Sequence, residues 1–353
     1  MTSPVVAVAL SGGVDSLVSG FLVKKAFKEV FGIHFTTGYE TRPVDLRALE
    51  NQLGFPVYPL DLSAVFEEQV VQYFISTYLK GKTPNPCVIC NKQIKFGALR
   101  DKARELGADI MATGHYAAIV NSLSFPEKTI PLPWLEQGAD PVKDQSYFLS
   151  MLSPDQLARI VFPLAGFTKA QVRTLAKANN LTPTSPVESQ DICFIQDHNF
   201  SRFIMDKTGL EFEPGPIKDL TGKVVGSHGG LCRFTIGQRR GINCPASEPY
   251  YVHRLDLSSN TLVVCFKKDL AQTSMEVDEI VWNDPLTPKI LETIQDFQII
   301  TKIRYSHKGA ASRLIPGGTS VQVIFEPPQP AITPGQTAVF YMGNRVLGAG
   351  IIQ

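Results

Sequence analysis

A short glycine-containing segment lies between an apolar run at residues 5–10 and a helix-like stretch, and it reads Ser11-Gly12-Gly13-Val14-Asp15-Ser16. A β-branched run that ends in two glycines and then opens a helix has the geometry of an anion-binding turn. The glycines let the backbone approach phosphate oxygens, and the first amides of the helix point toward them. The segment lacks the lysine of the common mononucleotide-binding loop, so it predicts a different class of phosphate-binding loop.

The composition indicates a chain of two or three domains without a secretion signal. Its 353 residues, 44% of them hydrophobic, can bury large cores. The formal net charge of +1 gives no global basic field, so any nucleic-acid surface must be local. No apolar stretch approaches the roughly 20 residues that span a bilayer, and six cysteines in a chain this long do not suggest a secreted disulfide framework. We therefore expect a cytoplasmic protein with no membrane contact.

Strand-like and helix-like segments alternate up to about His115. The apolar patterns predict strands at Val30–Phe35, Val57–Leu62 and Ile110–Thr113, and helices at Ala64–Leu79 and Asn91–Leu106. This alternation predicts an α/β fold with a doubly wound parallel sheet, which binds ligands at the carboxyl ends of its strands.

The pattern changes beyond about residue 210. Short β-rich runs between Gly, Pro and Asn turns, among them Cys232–Ile236 and Ser320–Phe325, predict small β-barrels, and Glu326–Pro330 predicts a stiff loop. We expect a catalytic domain with a helical extension at 1–208, a small β domain at 209–272 and a β-barrel at 273–353.

A proline-rich loop before two cysteines is the second strong signal. Cys87 and Cys90 follow Thr-Pro-Asn-Pro, and Cys90 is predicted at the entrance of the next helix. A thiol at a helix N-terminus beside Lys92 and Lys95 should have a lowered pKa and be nucleophilic at neutral pH. From residue 80 to 105 there are seven Lys or Arg and two Asp or Glu, which predicts a local phosphate-binding surface.

The other cysteines carry weaker signals. Cys193, in the segment Ile-Cys-Phe-Ile, is uninformative by itself. Three more lie in the β-rich part without polar surroundings and are predicted to be structural: Cys232, Cys244 and Cys265.

Taken in order, these motifs resemble the tRNA-specific 2-thiouridylase (MnmA/TrmU) family of PP-loop ATP pyrophosphatases over essentially the whole chain. The matching segments are SGGVDS (11–16), TPNP-x-x-x-CNK-x-IKF (83–96), ATGHY (112–116), KDQSYFL (143–149), ICFI (192–195), TIGQR (235–239), TPGQ (333–336) and LGAGII (347–352). The family commonly carries an acidic residue, thought to assist proton transfer, where this chain has Cys87.

The resemblance implies ATP-dependent adenylation of the C2 oxygen of the wobble uridine of tRNA and its replacement by sulfur. It places ATP, with Mg²⁺ held partly by Asp15, at Ala9, Leu10, Ser11, Gly12, Gly13, Val14, Asp15, Ser16, Phe35 and Gly114. Cys90 would be the nucleophile and Cys193 the persulfide carrier, with Cys87 also in the catalytic set.

The same resemblance implies two kinds of partner. The anticodon stem-loop of tRNA would contact Asn85, Pro86, Cys87, Lys143, Asp144, Gln145, Arg304 and Tyr305. A sulfur-relay protein or a cysteine desulfurase would supply the sulfur.

Three alternatives stay open from the sequence. Cys87, Cys90 and Cys193 supply the three thiolates that a [4Fe–4S] cluster with one open iron requires, whereas a fourth ligand for zinc is not apparent. A PP-loop amidotransferase or ligase would use the same ATP loop without needing two thiols. A non-enzymatic RNA-binding protein would not need the intact SGGVDS segment.

Overall fold

A computed structural model of the chain describes residues 3–120, 123–125, 128–130, 133–185, 192–197, 199–283, 287, 291 and 299–353. The strands are β1 (Val5–Ala9), β2 (Glu29–Thr36), β3 (Val57–Asp61), β4 (Ile110–Ala112), β5 (Ala117–Val120), β6 (Leu123–Phe125), β7 (Lys128–Ile130), β8 (Trp134–Gln137), β9 (Ile160–Val161), β10 (Gly215–Lys218), β11 (Val224–His228), β12 (Tyr251–Asp256), β13 (Thr261–Cys265), β14 (Ala271–Trp282), β15 (Ile299–Lys302), β16 (Ala310–Gly317), β17 (Ser320–Pro330), β18 (Thr337–Met342) and β19 (Arg345–Ile352).

The α-helices of the described residues are α1 (Val14–Ala26), α2 (Leu46–Leu53), α3 (Ser63–Phe66), α4 (Gln72–Leu79), α5 (Pro86–Ile89), α6 (Leu99–Glu105), α7 (Ser146–Leu149), α8 (Pro154–Leu157), α9 (Lys169–Ala178) and α10 (Phe200–Thr208). Two π-helical segments, Glu67–Val71 and Cys90–Ala98, connect α3 to α4 and α5 to α6. Short 3₁₀ helices lie at Leu231–Arg233 and Lys267–Leu270.

The first 161 residues build a five-stranded parallel sheet in the order β3-β2-β1-β4-β9. Side chains of β1 alternate between two cores, so that Val6 and Val8 pack with α1, α2 and α9 while Ala7 packs on the opposite face. The predicted doubly wound parallel sheet is therefore confirmed. Its strand order reverses between β1 and β4, where the crevice of such sheets binds ligands.

The helix that carries the paired cysteines begins earlier than predicted. The sequence predicts Asn91–Leu106, but the helical backbone starts at Pro86 and runs through the π-helical segment into α6. Pro86 favours this start because proline is tolerated in the first turn, where its missing N–H has no helical partner to lose. Cys90 thus follows the first turn instead of opening the helix.

The later part of the chain is β-rich, as predicted. Strands β10 to β13 form a small mixed sheet, while β14, β17, β16, β15, β18 and β19 close into a barrel through the pairing of β14 with β19. Two local predictions are wrong. The predicted strand at Cys232–Ile236 contains the 3₁₀ turn Leu231–Arg233, and the predicted loop at Glu326–Pro330 continues strand β17.

Two strands from the first 208 residues extend the barrel sheet. β5 pairs with β8, and Glu136 of β8 pairs with Arg345 of β19. The guanidinium carbon of Arg345 lies 4.6 Å from the centre of the Trp134 ring, which adds a cation–π contact to this seam. The barrel is thereby attached to the unit that holds the phosphate-binding turn, while the domain boundaries given above stay predictions.

Candidate active site

The phosphate-binding turn lies at the switch point of the parallel sheet. β1 ends at Ala9, and α1 begins after Gly13, which serves as its N-cap. Gly12 has a φ of +81°, a conformation that glycine adopts without strain. Ser16 Oγ donates to Gly13 O at 2.9 Å and accepts from Ser11 N at 3.2 Å, which holds the turn closed. No side chain of the described residues caps α1, so its first amides are available to an anion.

The loop after β4 touches this turn. A Cβ at Gly114 would stand 2.8 Å from the carbonyl carbon of Asp15 and 2.9 Å from Ser16 N, so only glycine fits. Phe35 lies in the neighbouring strand β2, close to the same carboxyl end, and is half-buried. The fold therefore brings together the residues predicted to bind ATP, namely Ala9 to Ser16, Phe35 and Gly114. Their contact with the nucleotide stays a prediction.

Asp15 is fixed by two residues that the sequence did not single out for this role. Tyr116 donates its hydroxyl to Oδ1 at 2.6 Å, and the buried Lys169 ammonium lies 2.7 Å from Oδ2. Lys169 opens α9, and its backbone N–H donates to Asp140 Oδ2 at 2.8 Å. This hydrogen bond is the largest cause that lowers the pKa of Asp140, which stays ionised and holds the start of α9.

Two of the residues predicted to contact tRNA, Asp144 and Gln145, hydrogen-bond to the protein around the site. Asp144 is buried, and its carboxylate accepts from Gly138 N, Ser146 N, Ser146 Oγ and Gln137 Nε2. Gln145 exchanges two hydrogen bonds with the backbone of Tyr116. This geometry favours a positioning role for Asp144 and Gln145, whereas the neighbouring Lys143 is half-buried. Contact of all three with tRNA stays a prediction.

His115 follows Gly114 and is buried. Its Nδ1 lies 2.7 Å from Thr113 Oγ1. Burial, with a smaller contribution from Lys95, holds the pKa of His115 well below the usual range, so the imidazole is neutral at physiological pH.

Cys87 and Cys90 lie on the first turns of the helix that begins at Pro86. Cys87 is exposed and Cys90 is half-buried. The segment from Cys90 to Ala98 is π-helical, and because a π-helix closes hydrogen bonds from i to i+5, Lys95 lies on the same side as Cys90. Asn85 and Pro86, which precede the thiols, are buried.

Cys193 is presented by an aromatic anchor. The next two side chains, Phe194 and Ile195, are buried, whereas Cys193 is exposed. The Phe194 ring packs with centroid distances of 5.3–5.8 Å against Phe66, Phe74, Tyr39 and Phe203. These ring contacts hold the backbone next to Cys193 in place, while Cys193 itself is an exposed residue.

The three thiols share one electrostatic neighbourhood. Burial raises the pKa of Cys87 to about 11 and that of Cys90 to about 12, and it also raises the pKa of Cys193. Lys95 opposes this rise at all three thiols, and Cys193 interacts with both other cysteines.

The expectation that Cys90 has a lowered pKa is wrong. Cys90 lies beyond the amides of the helix N-terminus, and the loss of solvation there outweighs the attraction of Lys95.

The remaining cysteines lie in the small mixed sheet or beside it. Cys232 and Cys265 are buried and Cys244 is half-buried. Burial raises the pKa of Cys232 and of Cys265 to about 11, which agrees with inert packing. Across the described ranges, no group of three or more His, Cys, Asp or Glu side chains is arranged to hold a metal ion.

An aromatic pair joins α7 to the loop between β15 and β16 of the barrel. Tyr305, which is 43% exposed, lies 4.5 Å from Phe148 between ring centroids and 6.0 Å from Tyr147. Arg304 is half-buried beside it, and the Lys302 ammonium lies 5.0 Å from the centre of the Tyr341 ring. Aromatic and basic side chains are the groups on which unstacked nucleotides bind. In the part of the chain that the structure describes, no helix is long and apolar enough to cross a membrane.

Comparison with known proteins covers the chain almost completely. Three family models match consecutive regions: the tRNA methyl transferase HUP domain at residues 4–197, the tRNA methyl transferase PRC-barrel domain at 202–266 and the aminomethyltransferase beta-barrel domain at 272–352. A solved structure, the U34-tRNA thiolase NcsA from Methanococcus maripaludis with its [4Fe-4S] cluster, matches with a TM-score of 0.32 and 19% identity over 58% of this chain and 64% of that chain, a likeness too weak to support an argument.

Curated relatives match along the full length. The tRNA-specific 2-thiouridylase MnmA of Desulfosudis oleivorans is 47% identical over 100% of this chain and 96% of its own. That of Geobacter metallireducens is 39% identical over 98% of this chain and 96% of its own, and that of Acetivibrio thermocellus is 37% identical over 100% of both chains. Together with the phosphate-binding turn and the three thiols, this similarity shows that the chain belongs to the tRNA-specific 2-thiouridylase MnmA family.

Proposed function

We propose that this chain is a tRNA-uridine 2-sulfurtransferase that activates the C2 oxygen of the wobble uridine with ATP and replaces it by sulfur. The observation that carries the proposal is the contact between the helix that bears Cys87 and Cys90 and the loop beside the phosphate-binding turn. The ring of Phe96, on that helix, lies 5.7 Å from the ring of His115 between centroids, and His115 follows Gly114, which touches the turn. Lys95, next to Phe96, influences the pKa of His115 and of all three thiols. This contact supports one shared site for the phosphate-binding turn and the thiols.

The first step activates the base. The C2 oxygen of uridine is a poor leaving group, and its adenylation by ATP, with release of pyrophosphate, converts it into an oxygen of AMP. The free amides of α1 and the side-chain-free backbone of Gly12 and Gly13 suit the ATP phosphates. Mg²⁺ characteristically binds through phosphates and one or two carboxylates. Asp15 would supply one, although Lys169 and Tyr116 already contact it.

The second step transfers sulfur. An exposed Cys193 can accept the outer sulfur of a persulfide from a relay protein or a cysteine desulfurase. That sulfur attacks C2 and AMP departs with the original oxygen. Cys90 must first release its proton to solvent, since burial raises its pKa to about 12. The resulting thiolate attacks the sulfur of Cys193, breaks the bond between Cys193 and the transferred sulfur, which stays on the uridine, and forms a disulfide with Cys193 that an external reductant must return to two thiols.

A [4Fe–4S] cluster on Cys87, Cys90 and Cys193 fits this structure less well. Cys90 interacts electrostatically with Cys87 and Cys193. Among the described residues, however, no group of three or more His, Cys, Asp or Glu side chains is placed so that it could hold a metal ion. The persulfide route requires only that Cys193 accept sulfur and that Cys90 reach it.

The tRNA would lie across the shared site and the barrel. A flipped uridine would enter this site beside Cys87, while neighbouring bases stack on Tyr305 and Phe148. Arg304 and Lys143 would contact the anticodon loop, and the basic residues between 80 and 105 would bind its phosphates.

The test of this proposal is the dependence of ATP cleavage on tRNA. Purified protein should form AMP and pyrophosphate from ATP in the presence of unmodified tRNA and a persulfide donor, and little when the tRNA is left out. Equal AMP formation without tRNA, or with ammonia as the required co-substrate, would instead indicate an amidotransferase or ligase. Absence of cleavage under both conditions would favour a non-enzymatic RNA-binding protein.

A further inference from the structure

A turn of the C-terminal barrel binds the loop that precedes the paired cysteines. Thr83 N donates to Pro334 O at 2.8 Å. The side-chain amide of Gln336 donates to Thr83 O and to Pro84 O, both at 3.1 Å. One carboxamide on the barrel thus holds two consecutive carbonyls of a loop 250 residues earlier in the chain.

This contact is close and leaves little room for movement. Gly335 has a φ of +89°, and a Cβ there would stand 2.8 Å from Thr83 O and 2.9 Å from Thr83 N. Gly335 N donates to Ile352 O at 2.8 Å, and Gln336 O accepts from Ile352 N at 2.9 Å. The turn is therefore fixed on the last barrel strand while its backbone lies against the loop.

A second connection holds the helical turns that follow the loop. The Tyr147 hydroxyl, on α7, donates to Thr337 O at 2.9 Å, one residue beyond Gln336. The next residue of α7, Phe148, accepts from Asn91 Nδ2 at 3.0 Å, and Asn91 directly follows Cys90. The segment from Thr83 to Asn91, which carries Cys87 and Cys90, is therefore held at both ends by groups attached to the barrel.

We propose that Gln336 is a positioning residue, which acts through Thr83 and Pro84 to hold the helix bearing Cys87 and Cys90 in register with the adenylated uridine. This inference rests on the proposed function and adds a role for the barrel beyond tRNA contact. Displacement of a reacting group by about 1 Å can cost roughly a hundredfold in rate. Loss of the two hydrogen bonds should therefore lower kcat by a much larger factor than it raises the KM for tRNA.

The experiment compares Gln336→Ala and Gln336→Glu with the wild type, and Gln322→Ala, an exposed glutamine of strand β17, serves as matched control. We expect kcat for 2-thiouridine formation to fall at least tenfold in both Gln336 variants and to be unchanged in the control. Glutamate is isosteric but cannot donate until it is protonated, and two facing carbonyls favour its protonated form. The ratio of Gln336→Glu to wild-type activity should therefore rise as the pH falls from 8 to 6, while that of Gln336→Ala stays flat.

Hydrogen exchange separates this inference from the proposed function. In the resting protein, Gln336→Ala should speed exchange at residues 83–90 and leave the β1 amides protected. A wild-type protein that makes no 2-thiouridine would refute the proposed function. The exchange result would still test whether the hydrogen bonds of Gln336 to Thr83 and Pro84 hold the cysteine-bearing segment. Unchanged kcat in Gln336→Ala, or a loss confined to KM for tRNA, would overturn the positioning role whatever the exchange shows.

Discussion

The ammonium group of Lys169 lies 2.7 Å from Oδ2 of Asp15, and Lys169 is only 7% exposed. This pair joins the first turn of α1 to the first residue of α9. It fixes the carboxylate beside the amides that would bind the ATP phosphates, and it places a positive charge at the same point.

Replacement of Lys169 by Met should therefore impair the ATP-dependent step. We expect tRNA-dependent AMP formation to fall at least tenfold. The free energy of unfolding should drop by about 1–3 kcal/mol, a loss between those typical of breaking an exposed and a buried ion pair. Lys177→Met, on the exposed side of the same helix, is the matched control. Wild-type AMP formation in Lys169→Met would show that the pair is only structural.

The roles proposed for the cysteines predict which Cys→Ser variants lose activity and which keep it. Cys90→Ser and Cys193→Ser should each lower sulfur incorporation into tRNA by at least about a hundredfold, since a hydroxyl neither carries sulfane sulfur nor forms a disulfide. Cys232→Ser, Cys244→Ser and Cys265→Ser should keep activity because these residues lie in or beside the small mixed sheet. Full activity of Cys193→Ser would remove this residue from the mechanism.

Iron analysis tests the alternative sulfur chemistry. In the persulfide account, Cys87→Asp restores the acidic residue common in the family and should keep activity within about tenfold of wild type. Protein prepared without oxygen should then contain no stoichiometric iron. Iron and sulfide that are present in the wild type and lost in Cys87→Ala would establish a cluster, since alanine has no group that can replace the thiolate ligand. Cys87→Asp should then hold the iron only weakly, because a carboxylate replaces a thiolate ligand poorly.

Burial of neutral His115 predicts sensitivity to acid. The pKa of folded His115 lies well below 6.5, so below pH 6.5 the unfolded chain binds a proton that the folded protein excludes. Stability therefore falls as the pH decreases, by up to about 2 kcal/mol between pH 6.5 and 5.0 from this group alone. Denaturant unfolding of His115→Gln should show a loss smaller by that amount.

The variant Lys95→Met tests whether burial or the charge of Lys95 is the larger cause of the low pKa of His115. Because burial is the larger cause of the His115 shift, this variant should retain most of the acid sensitivity of the wild type. An identical pH dependence in wild type and His115→Gln would show that the pKa of His115 is the same in the folded and the unfolded protein, which contradicts the lowered pKa.

Much of the catalytic unit could be predicted from local sequence. The apolar run of β1 and the glycines at 12 and 13 specify a strand, a turn and a helix through short-range rules. The motif around Gly114 predicts the loop after β4, which meets the turn after β1 where the strand order reverses. These features predicted the parallel sheet, which the structure confirms, because parallel strands with intervening helices leave few topologies open.

The parts that sequence reasoning missed depend on contacts between distant residues. The pairing of Asp15 with Lys169 spans 154 positions, and that of Thr83 with Gln336 spans 253. Neither Lys169 nor Gln336 has a local pattern that reveals its partner. The pKa of Cys90 was misjudged for a related reason, since burial by distant segments outweighs the nearby lysine.

The most direct test of the account is the formation of 2-thiouridine by the purified protein. Unmodified tRNA is incubated with ATP, Mg²⁺ and a persulfide donor, and its nucleosides are quantified by mass spectrometry together with AMP. The account predicts one AMP for each 2-thiouridine, no product without ATP, and none with tRNA whose wobble uridine is replaced by cytidine. AMP released without 2-thiouridine, or thiolation independent of ATP, would contradict it.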